Sequence, residues 1–279
     1  MTTWKSNRKM YTVVCEMKFI SRNKSKKRPL HGMSDLEMLT TSVSQWFRTP
    51  QGSEVLETER AITGPIINRL FGYHILQMAC DEKYSLIDES PAGQKIVFAP
   101  AWRADARSAV ADNGELPLAS DSIDVVVIHH ALDFTDDSHR LLREATRVLR
   151  PGGQMLVIGF NPYSHWGIWK IFKRKLNIPW RGRFISKGRL TDWLRLLNLR
   201  TDSIEYGLHF LPLKNSWLLK YAQKIERFGS KIKSPLGGAY FLLCVKQLGS
   251  MTPIHPKWRP VPASVAGIVA SENARIRIH

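Results

Sequence analysis

The sequence predicts an α/β domain in which helices cover both faces of a mostly parallel β-sheet. Residues 124–128, Asp-Val-Val-Val-Ile, carry the strongest strand pattern, and such an unbroken β-branched run is typical of a parallel strand that is buried on both faces. An amphipathic helix and a second apolar run, Met155 to Ile158, follow it, which gives the strand–helix–strand order of a right-handed crossover. The same alternation continues as far as Val245.

The elements before this unit are predicted to be mainly helical. Ser34 can cap an N-terminal helix, whose apolar side chains recur at helical spacing as far as Phe47. A second helix is expected from about Ser53 to Ala61, and Gly64-Pro65 is expected to form a turn.

The core strands are short apolar runs bounded by glycine, proline or charged residues. They are predicted at residues 74–80, 95–98, 124–128, 155–158 and 240–245. Three further helices are expected: one that Pro151-Gly152-Gly153 ends, one that Ser186 opens, and one lined by apolar residues from Trp217 to Phe228.

Composition restricts the class of protein and its partners. A hydrophobic content of 43% in 279 residues allows one buried core of about 200 residues plus tails. The net charge of +17 indicates an anionic partner: nucleic acid, an acidic membrane surface or a negatively charged substrate. Three scattered cysteines without metal-ligand spacing predict no metal site, and with no apolar run of membrane-spanning length they favour a cytoplasmic protein.

The chain is predicted to have three parts. Residues 1–32 carry nine Lys/Arg residues against one acid and are expected to form a basic, disordered arm. An alternative is that translation begins at Met33, where the amphipathic helix begins. Residues 33–249 form the domain with its N-terminal helical cap, and residues 250–279 form a flexible tail that contains four prolines.

Two blocks of sequence resemble class I S-adenosylmethionine (SAM)-dependent methyltransferases. Residues 112–126, Asp-Asn-Gly-Glu-Leu-Pro-Leu-Ala-Ser-Asp-Ser-Ile-Asp-Val-Val, resemble the central signature of that family, in which a loop Asp precedes a Leu-Pro pair and a strand. Residues 142–153, Leu-Arg-Glu-Ala-Thr-Arg-Val-Leu-Arg-Pro-Gly-Gly, match the helix and turn that follow in the family. The resemblance covers about Ile75 to Phe160 and implies a Rossmann-like methyltransferase fold of the type 11-like kind, with a mostly parallel seven-stranded sheet and SAM as cofactor.

The resemblance also implies where SAM would bind. Asp112 would accept hydrogen bonds from the exocyclic amine of adenine, and the backbone near Glu115 and Leu116 would lie beside the ring. The cofactor-binding candidates are Gln77, Ala79, Asp81, Asp112, Asn113, Glu115, Leu116 and Ile128.

The first cofactor loop departs from the family pattern. The family has an acid in the strand followed by Gly-x-Gly-x-Gly, whereas this chain has Gln77 at the acid position and Ala79, Asp81 and Lys83 at the glycine positions. Those glycines let the backbone approach the methionine and ribose of SAM closely, so side chains there narrow the pocket. The usual ribose-binding acid after the second strand is also replaced, by Ala-Pro-Ala-Trp at residues 99–102.

His129 and His130 are the candidate catalytic residues. They follow the strongest strand, and open α/β sheets bind ligands at the carboxyl ends of their strands. Either could act as a base or orient a substrate, with Asp133 as the nearest carboxylate that could orient it. The alternative is that they are structural histidines with satisfied hydrogen bonds.

A basic and aromatic stretch follows the next strand. From Phe160 to Leu190 there are eight Lys/Arg residues and no acid, interleaved with aromatic residues. Residues Lys170 to Arg189 and the N-terminal arm are therefore candidate contacts for nucleic acid or an acidic membrane surface. The alternative is a solvated basic helix with aromatic residues packed underneath.

Three functions remain open on the sequence. The first is a SAM-dependent methyltransferase that acts on a small-molecule or anionic acceptor, by in-line transfer of the sulfonium methyl group. The second is a catalytically inactive protein of that fold, which acts as a binding module through its basic aromatic surface. The third is a methyltransferase recruited to RNA or DNA by the basic arm. The sequence leaves the oligomeric state open.

Overall fold

A computed structural model describes residues 42–79, 84–99, 109–110, 115–173, 178–212, 221–232 and 234–248. The predicted arm, 1–32, and tail, 250–279, lie outside the described residues, as do residues 34–41 of the predicted helical cap. The strands are β1 (His74–Ala79), β2 (Gln94–Ala99), β3 (Ala109–Val110), β4 (Ile123–His129), β5 (Leu149–Phe160), β6 (Leu199–Gly207) and β7 (Ala239–Lys246). The helices are α1 (42–47), α2 (Pro50–Ile67), α3 (Ala131–Phe134), α4 (Ser138–Val148), α5 (His165–Lys173), α6 (Lys187–Leu196) and α7 (Ala222–Ile232).

The strands form one seven-stranded sheet in the order β3-β2-β1-β4-β5-β7-β6. Strands β3, β2, β1, β4 and β5 are parallel, whereas β7 pairs antiparallel with both β5 and β6. The strand order therefore reverses between β1 and β4, and a crevice for ligands opens at such a switch point, outside the carboxyl ends of the strands. The predicted fold class is confirmed.

Alternate side chains of the central strands enter two apolar clusters. Val125 and Val127 belong to one cluster with α1 and α2, and Val126 and Ile128 belong to the other with α4 and α6. Successive side chains of a strand point to opposite faces of a sheet, so both faces of β4 are covered. This arrangement explains why the strand is an unbroken apolar run rather than an alternating one.

The second predicted helix is longer than its sequence pattern indicated. Helix α2 begins directly at Pro50, with Thr49 as its N-cap, and Pro65 lies inside its last turn. Thr49 accepts a hydrogen bond from the N–H of Gly52, and proline at the first helical position has no N–H to leave unpaired. The expected turn at Gly64-Pro65 was wrong, because the helix continues through both residues to Ile67.

The start of β5 and the presence of β6 also differ from what the sequence pattern indicated. Helix α4 ends at Val148, so the Pro-Gly-Gly that was expected to end it lies within β5, which begins at Leu149. Within this stretch Gly152 has a φ of 80°, and the pairing of β5 with β4 shifts register. Strand β6 was missed, because its exposed and half-buried polar residues do not form an apolar run. It is one of the two edge strands of the sheet and pairs antiparallel with β7, where burial of only one face is common.

Candidate active site

Four titratable side chains meet in the protein interior where β4 ends. The Nε2 atoms of His129 and His130 lie 2.9 Å and 2.7 Å from the two carboxylate oxygens of Glu59. The Nδ1 atom of His130 lies 2.8 Å from Asp133 Oδ2. None of the four side chains is more than 2% exposed. Glu59, His129, His130 and Asp133 are called the histidine cluster below.

The fold brings the histidine cluster together from three elements. His129 is the last residue of β4, and His130 has a left-handed φ of 51° between β4 and α3. Asp133 lies in α3, where its Oδ2 also accepts the N–H of Phe160 at the end of β5. Glu59 comes from α2, seventy residues before His129. A non-glycine residue at positive φ is uncommon and marks a locally specified backbone, which here turns both imidazoles towards the same carboxylate.

The hydrogen bonds assign the protons of the histidine cluster. An ionised carboxylate only accepts, so both Nε2 atoms donate to Glu59. Burial opposes ionisation of Glu59, but the charge of His130 and hydrogen bonds from both histidines outweigh burial and lower its pKa to about 2. Burial likewise opposes the charge on His130, yet the Glu59 carboxylate and the hydrogen bonds to Asp133 and Glu59 raise its pKa to about 9. Glu59 and His130 therefore form a buried ion pair.

The two histidines differ in whether they can accept a proton. Both ring nitrogens of His130 are committed as donors, to Glu59 and to Asp133. Burial lowers the pKa of His129 more than its hydrogen bond to Glu59 raises it, so this imidazole is neutral. With the proton on Nε2, the lone pair of His129 is on Nδ1, and this nitrogen is the one that can act as a base.

Asp133 completes the cluster from the other side of His130. Burial raises the pKa of Asp133 more than the hydrogen bond from His130 lowers it. Its Oδ2 accepts two hydrogen bonds, while its Oδ1 is buried without a partner among the described residues. Asp133 thus contacts His130, as its position in the sequence suggested, and its role in orienting a catalytic histidine stays a prediction.

Aromatic rings cover the histidine cluster. Phe160 stacks on His130 with ring centroids 4.1 Å apart, and Phe47 lies 5.8 Å from His129. Trp46 packs on Phe47 at 4.9 Å and contacts Phe160 edge-on. These rings exclude water, which strengthens the electrostatic interactions within the cluster.

Glu59, His129 and His130 also form a potential ligand set for a metal ion. One donor atom from each lies within 4.8 Å of the others, and two histidines with one glutamate is a set that zinc accepts. The sequence analysis predicted no metal site from the spacing of the cysteines, and it did not connect Glu59 with the two histidines. The separations of 2.7 Å and 2.9 Å are those of hydrogen bonds, so the three side chains already satisfy one another.

The predicted cofactor residues of β1 and β4 lie at the switch point. Ala79 ends β1, pairs with His129 in the parallel register and also bridges His130. Ile128 is fully buried one residue earlier in β4. Gln77, which stands at the family's acid position, is buried, and its amide turns back to bind the O of Tyr84 and the N–H of residue 86. Gln77 thus holds the chain that follows the first cofactor loop.

The other predicted cofactor residues lie before β4. Glu115 is exposed and pairs with Arg140 at 2.6 Å. Leu116 is buried, its N–H donates to Glu144, and its carbonyl accepts from Arg147, so α4 fixes the position of this segment. Asp81, Asp112 and Asn113 lie outside the described residues, and their contacts with SAM stay predictions.

Asp124, the acid that opens the Asp-Val-Val strand, has a structural role. Its Oδ2 accepts the backbone N–H groups of Tyr73 and His74 at 2.7 Å and 2.8 Å, and its Oδ1 pairs with Arg150. The side chain therefore ties the start of β1 to β4 and β5, at the end of the sheet opposite to His129.

Glu59 is the functional candidate that the sequence patterns missed. It occupies the buried stripe of α2, four residues after Val55 and four before Thr63, where an apolar residue is usual. An acid at an apolar-face position is a signal, because a carboxylate is almost never fully buried without partners. That signal could have marked Glu59, but nothing in the sequence connects it with residues seventy positions away.

Comparison with known proteins matches the part of the chain that contains β1 to β4 and most of β5 to a protein family. A family model described as a methyltransferase domain matches residues 72–157. The protein YafS of Escherichia coli (strain K12) is 31% identical over 179 residues, which are 60% of this chain and 69% of YafS. A SAM-dependent methyltransferase from Thermotoga maritima, described as a possible histamine N-methyltransferase, has the same fold with a TM-score of 0.58 at 17% identity, over 76% of this chain and 98% of that one.

Proposed function

Because this chain belongs to the class I SAM-dependent methyltransferase family, we propose that it transfers a methyl group from SAM to an acceptor held at the carboxyl edge of the sheet. The observation that carries the proposal is the histidine cluster at the end of β4, beside the switch point between β1 and β4. A buried, oriented and neutral imidazole at that position is suited to removing a proton from a nucleophile.

The residues of the switch point fit SAM in part. SAM is the cofactor of the family, and when bound it supplies an electrophilic methyl group. Ala79 at the end of β1 and Ile128 in β4 are both fully buried and offer apolar contacts, although Ala79 has a methyl group where the family has glycine. Against this, the amide of Gln77 is engaged with the following loop and is not available to a ligand. We propose that Ala79, Ile128, Glu115 and Leu116 border the cofactor, together with Asp112.

Within this proposal, His129 is the base and His130 a positioning residue. Glu59 holds the proton of His129 on Nε2, which leaves Nδ1 to accept a proton from the acceptor. His130 keeps Glu59 ionised and is itself fixed by Asp133. Nitrogen NMR of the imidazoles at pH 7 tests this division: a neutral His129 protonated at Nε2 and a doubly protonated His130 are expected. A charged His129 beside a neutral His130 contradicts it.

Calorimetric titration of the full chain with SAM and with its demethylated product tests the proposal itself. Micromolar binding is expected, and Asp112→Ala should weaken it about tenfold, because a hydrogen bond to a charged group contributes about 1.5 kcal/mol or more. Asp121→Ala is the matched control, since it removes the same charge from an exposed acid that pairs with Lys246. Absence of binding to a folded sample rules the proposal out.

A second candidate function, a binding module at an acidic membrane surface, is favoured by one face of α5. Ile168, Ile171 and Phe172 are 56%, 75% and 79% exposed and lie within one third of the helix circumference. A cluster of large exposed apolar side chains next to a stretch rich in lysine and arginine is typical of helices that lie in the membrane interface. No helix within the described ranges is long and apolar enough to span a bilayer.

Co-sedimentation with vesicles tests the second candidate. The protein should bind vesicles of phosphatidylcholine with phosphatidylglycerol and not pure phosphatidylcholine. The double variant Ile171→Ser/Phe172→Ser should bind at least tenfold more weakly, since burying either side chain contributes about 1.5 kcal/mol or more. Leu196→Ser, at an 83% exposed position of α6, is the control. An unchanged double variant, or binding to duplex DNA in preference to the vesicles, excludes the membrane face.

A further inference from the structure

The turn that follows β6 has a strained backbone. Leu208 has a φ of 62°, in the left-handed region, and its side chain is fully buried. A bulky residue at positive φ is an outlier, and such a conformation persists only where the surrounding structure holds it. Strained residues of this kind are frequent in switch regions. Residues 207–210, called the β6 turn below, therefore need contacts that hold them in place.

One carboxylate of α7 holds the β6 turn. Glu226 Oε1 accepts the N–H of Leu208 at 3.1 Å, and its Oε2 accepts the N–H of His209 at 2.7 Å. Oε1 also lies 3.2 Å from Nδ1 of the His209 imidazole. Gly229, one turn further along α7, packs so closely on this imidazole that an added Cβ would overlap the ring. Helix α7 and the β6 turn therefore share one contact, with Glu226 at its centre.

The hydrogen bonds of His209 require a proton on each ring nitrogen. Nδ1 faces the Glu226 carboxylate, and Nε2 lies 3.2 Å from the carbonyl oxygen of Ser234. Both oxygens are acceptors, and a neutral imidazole has only one N–H, so it can keep only one of the two contacts. The side chains of His209 and Glu226 are 7% and 13% exposed, which leaves little room for water to replace a lost hydrogen bond.

Among the described residues, two titratable side chains face His209. The hydrogen bond with Glu226 of α7 raises the pKa of His209 and outweighs the opposite effect of burial. The other side chain is His165 at the start of α5, whose pKa is lowered by burial and also by the charge of His209. The segment that follows α7 contributes the carbonyl of Ser234. Glu226 is therefore the counterion of His209.

The β6 turn also supports the aromatic cover of the histidine cluster. The carbonyl oxygen of Phe210 accepts the indole N–H of Trp166 at 2.9 Å, and Trp166 is fully buried. Trp166 stacks at 5.9 Å on Phe160, the ring that stacks on His130. One indole therefore connects the β6 turn with the ring that covers His130.

We propose that His209 and Glu226 form a pH-dependent clasp, which holds α7 against the β6 turn while His209 is protonated and opens when His209 loses its proton. On opening, the imidazole loses one of its two hydrogen bonds, Glu226 moves away with α7, and Leu208 leaves its left-handed conformation. Trp166 then loses an acceptor that is fixed in place. The clasp depends neither on methyl transfer nor on SAM.

The direction of the pH effect follows from the raised pKa of His209. At and below pH 6.5, the ordinary pKa of histidine, His209 is protonated whether the clasp is closed or open, and the clasp has its full strength. Above that pH the closed form holds a proton that the open form has released. The open fraction therefore increases by up to about tenfold per pH unit until the raised pKa is passed, and then levels off.

Hydrogen–deuterium exchange of the full chain between pH 5.5 and 9, measured by mass spectrometry and corrected for the intrinsic pH dependence of exchange, tests the clasp. Peptides of α7 should lose up to about tenfold in protection per pH unit above pH 6.5. Peptides of α6, a helix of similar length, are the internal control and should lose only what the whole domain loses.

Two variants assign the effect to the clasp. Glu226→Gln should move the loss of protection in α7 to lower pH, because His209 loses its counterion. His209→Phe keeps a ring against Gly229 but cannot titrate, so the protection of α7 should be low and should follow α6 at every pH. His139→Gln, at an exposed histidine of α4, is the matched control and should keep the profile of the unmodified protein.

Nitrogen NMR of the unmodified protein tests the clasp without a substitution. His209 should be doubly protonated at pH 6 and should lose a proton over the pH range in which α7 loses protection. A variant that unfolds is recognised by lost protection in β4 and β5, and the NMR titration then decides. Protection of α7 that follows α6 at every pH in the unmodified protein, or a profile that either clasp variant leaves unchanged, overturns the proposal.

Discussion

Replacement of Glu59 by glutamine should destabilise the protein strongly. Glu59 is fully buried, and its two oxygens accept hydrogen bonds from His129 and His130 at 2.9 Å and 2.7 Å. Glutamine keeps the shape but has one acceptor and one donor, so one Nε2–H loses its acceptor and the charge of His130 loses its principal counterion. Removing one partner of a buried ion pair costs about 3–5 kcal/mol. We expect a loss of that size in Glu59→Gln.

The pH dependence of the free energy of unfolding is more diagnostic than the loss of stability in Glu59→Gln. The pKa of His130 is raised to about 9 in the folded protein, against an ordinary value of 6.5. Between these pH values the folded protein holds a proton that the unfolded chain has released. The free energy of unfolding therefore falls as pH rises through this window, by up to about 1.4 kcal/mol per pH unit. This slope should shrink in Glu59→Gln, because the carboxylate is the main cause of the raised pKa.

Urea unfolding at several pH values between 6 and 9.5 measures both effects. Glu57→Gln is the matched control, since Glu57 lies on the same helix, carries the same charge and is exposed. The control should lose less than about 1 kcal/mol, the usual effect of a surface substitution, and keep the slope. If Glu59→Gln loses no more than the control and keeps the same slope, then the ion pair with His130 does not exist in solution.

Three other substitutions or modifications have definite expectations. Asp124→Ala should lower the free energy of unfolding by about 2–4 kcal/mol, because the N–H groups of Tyr73 and His74 lose a charged acceptor. The affinity for SAM, measured by calorimetry, should stay the same, and a large loss of affinity would assign Asp124 to the cofactor site. Gly152→Ala should cost about 1–2 kcal/mol in urea unfolding, a purely backbone effect, since φ is 80° and an added Cβ would meet nothing within 4 Å. An unchanged midpoint would contradict the left-handed backbone at this position. Burial raises the pKa of the Cys244 thiol to about 12. A disulfide reagent should therefore label Cys244 only after unfolding, as measured by peptide mass spectrometry, and rapid labelling of the native protein would disprove the burial of this thiol.

Patterns within short stretches of sequence were sufficient for the centre of the sheet. Residues 125–128 are all apolar because both faces of β4 are covered, so each of these residues by itself indicates burial. Ser186 was predicted as an N-cap and caps α6, since a capping hydrogen bond involves residues only three positions apart. Strand β6 was not predictable in this way, because an edge strand needs no continuous apolar run.

The sequence by itself determined the α/β class, the family and the position of His129 and His130 at a strand end. Each of these depends on neighbours along the chain or on one recognisable block. Only the tertiary structure decided which histidine can accept a proton, because that depends on Glu59, seventy residues away and in a different element. Hydrogen bonds and charge in a buried cluster act over a few ångströms of space, and sequence separation carries no information about them.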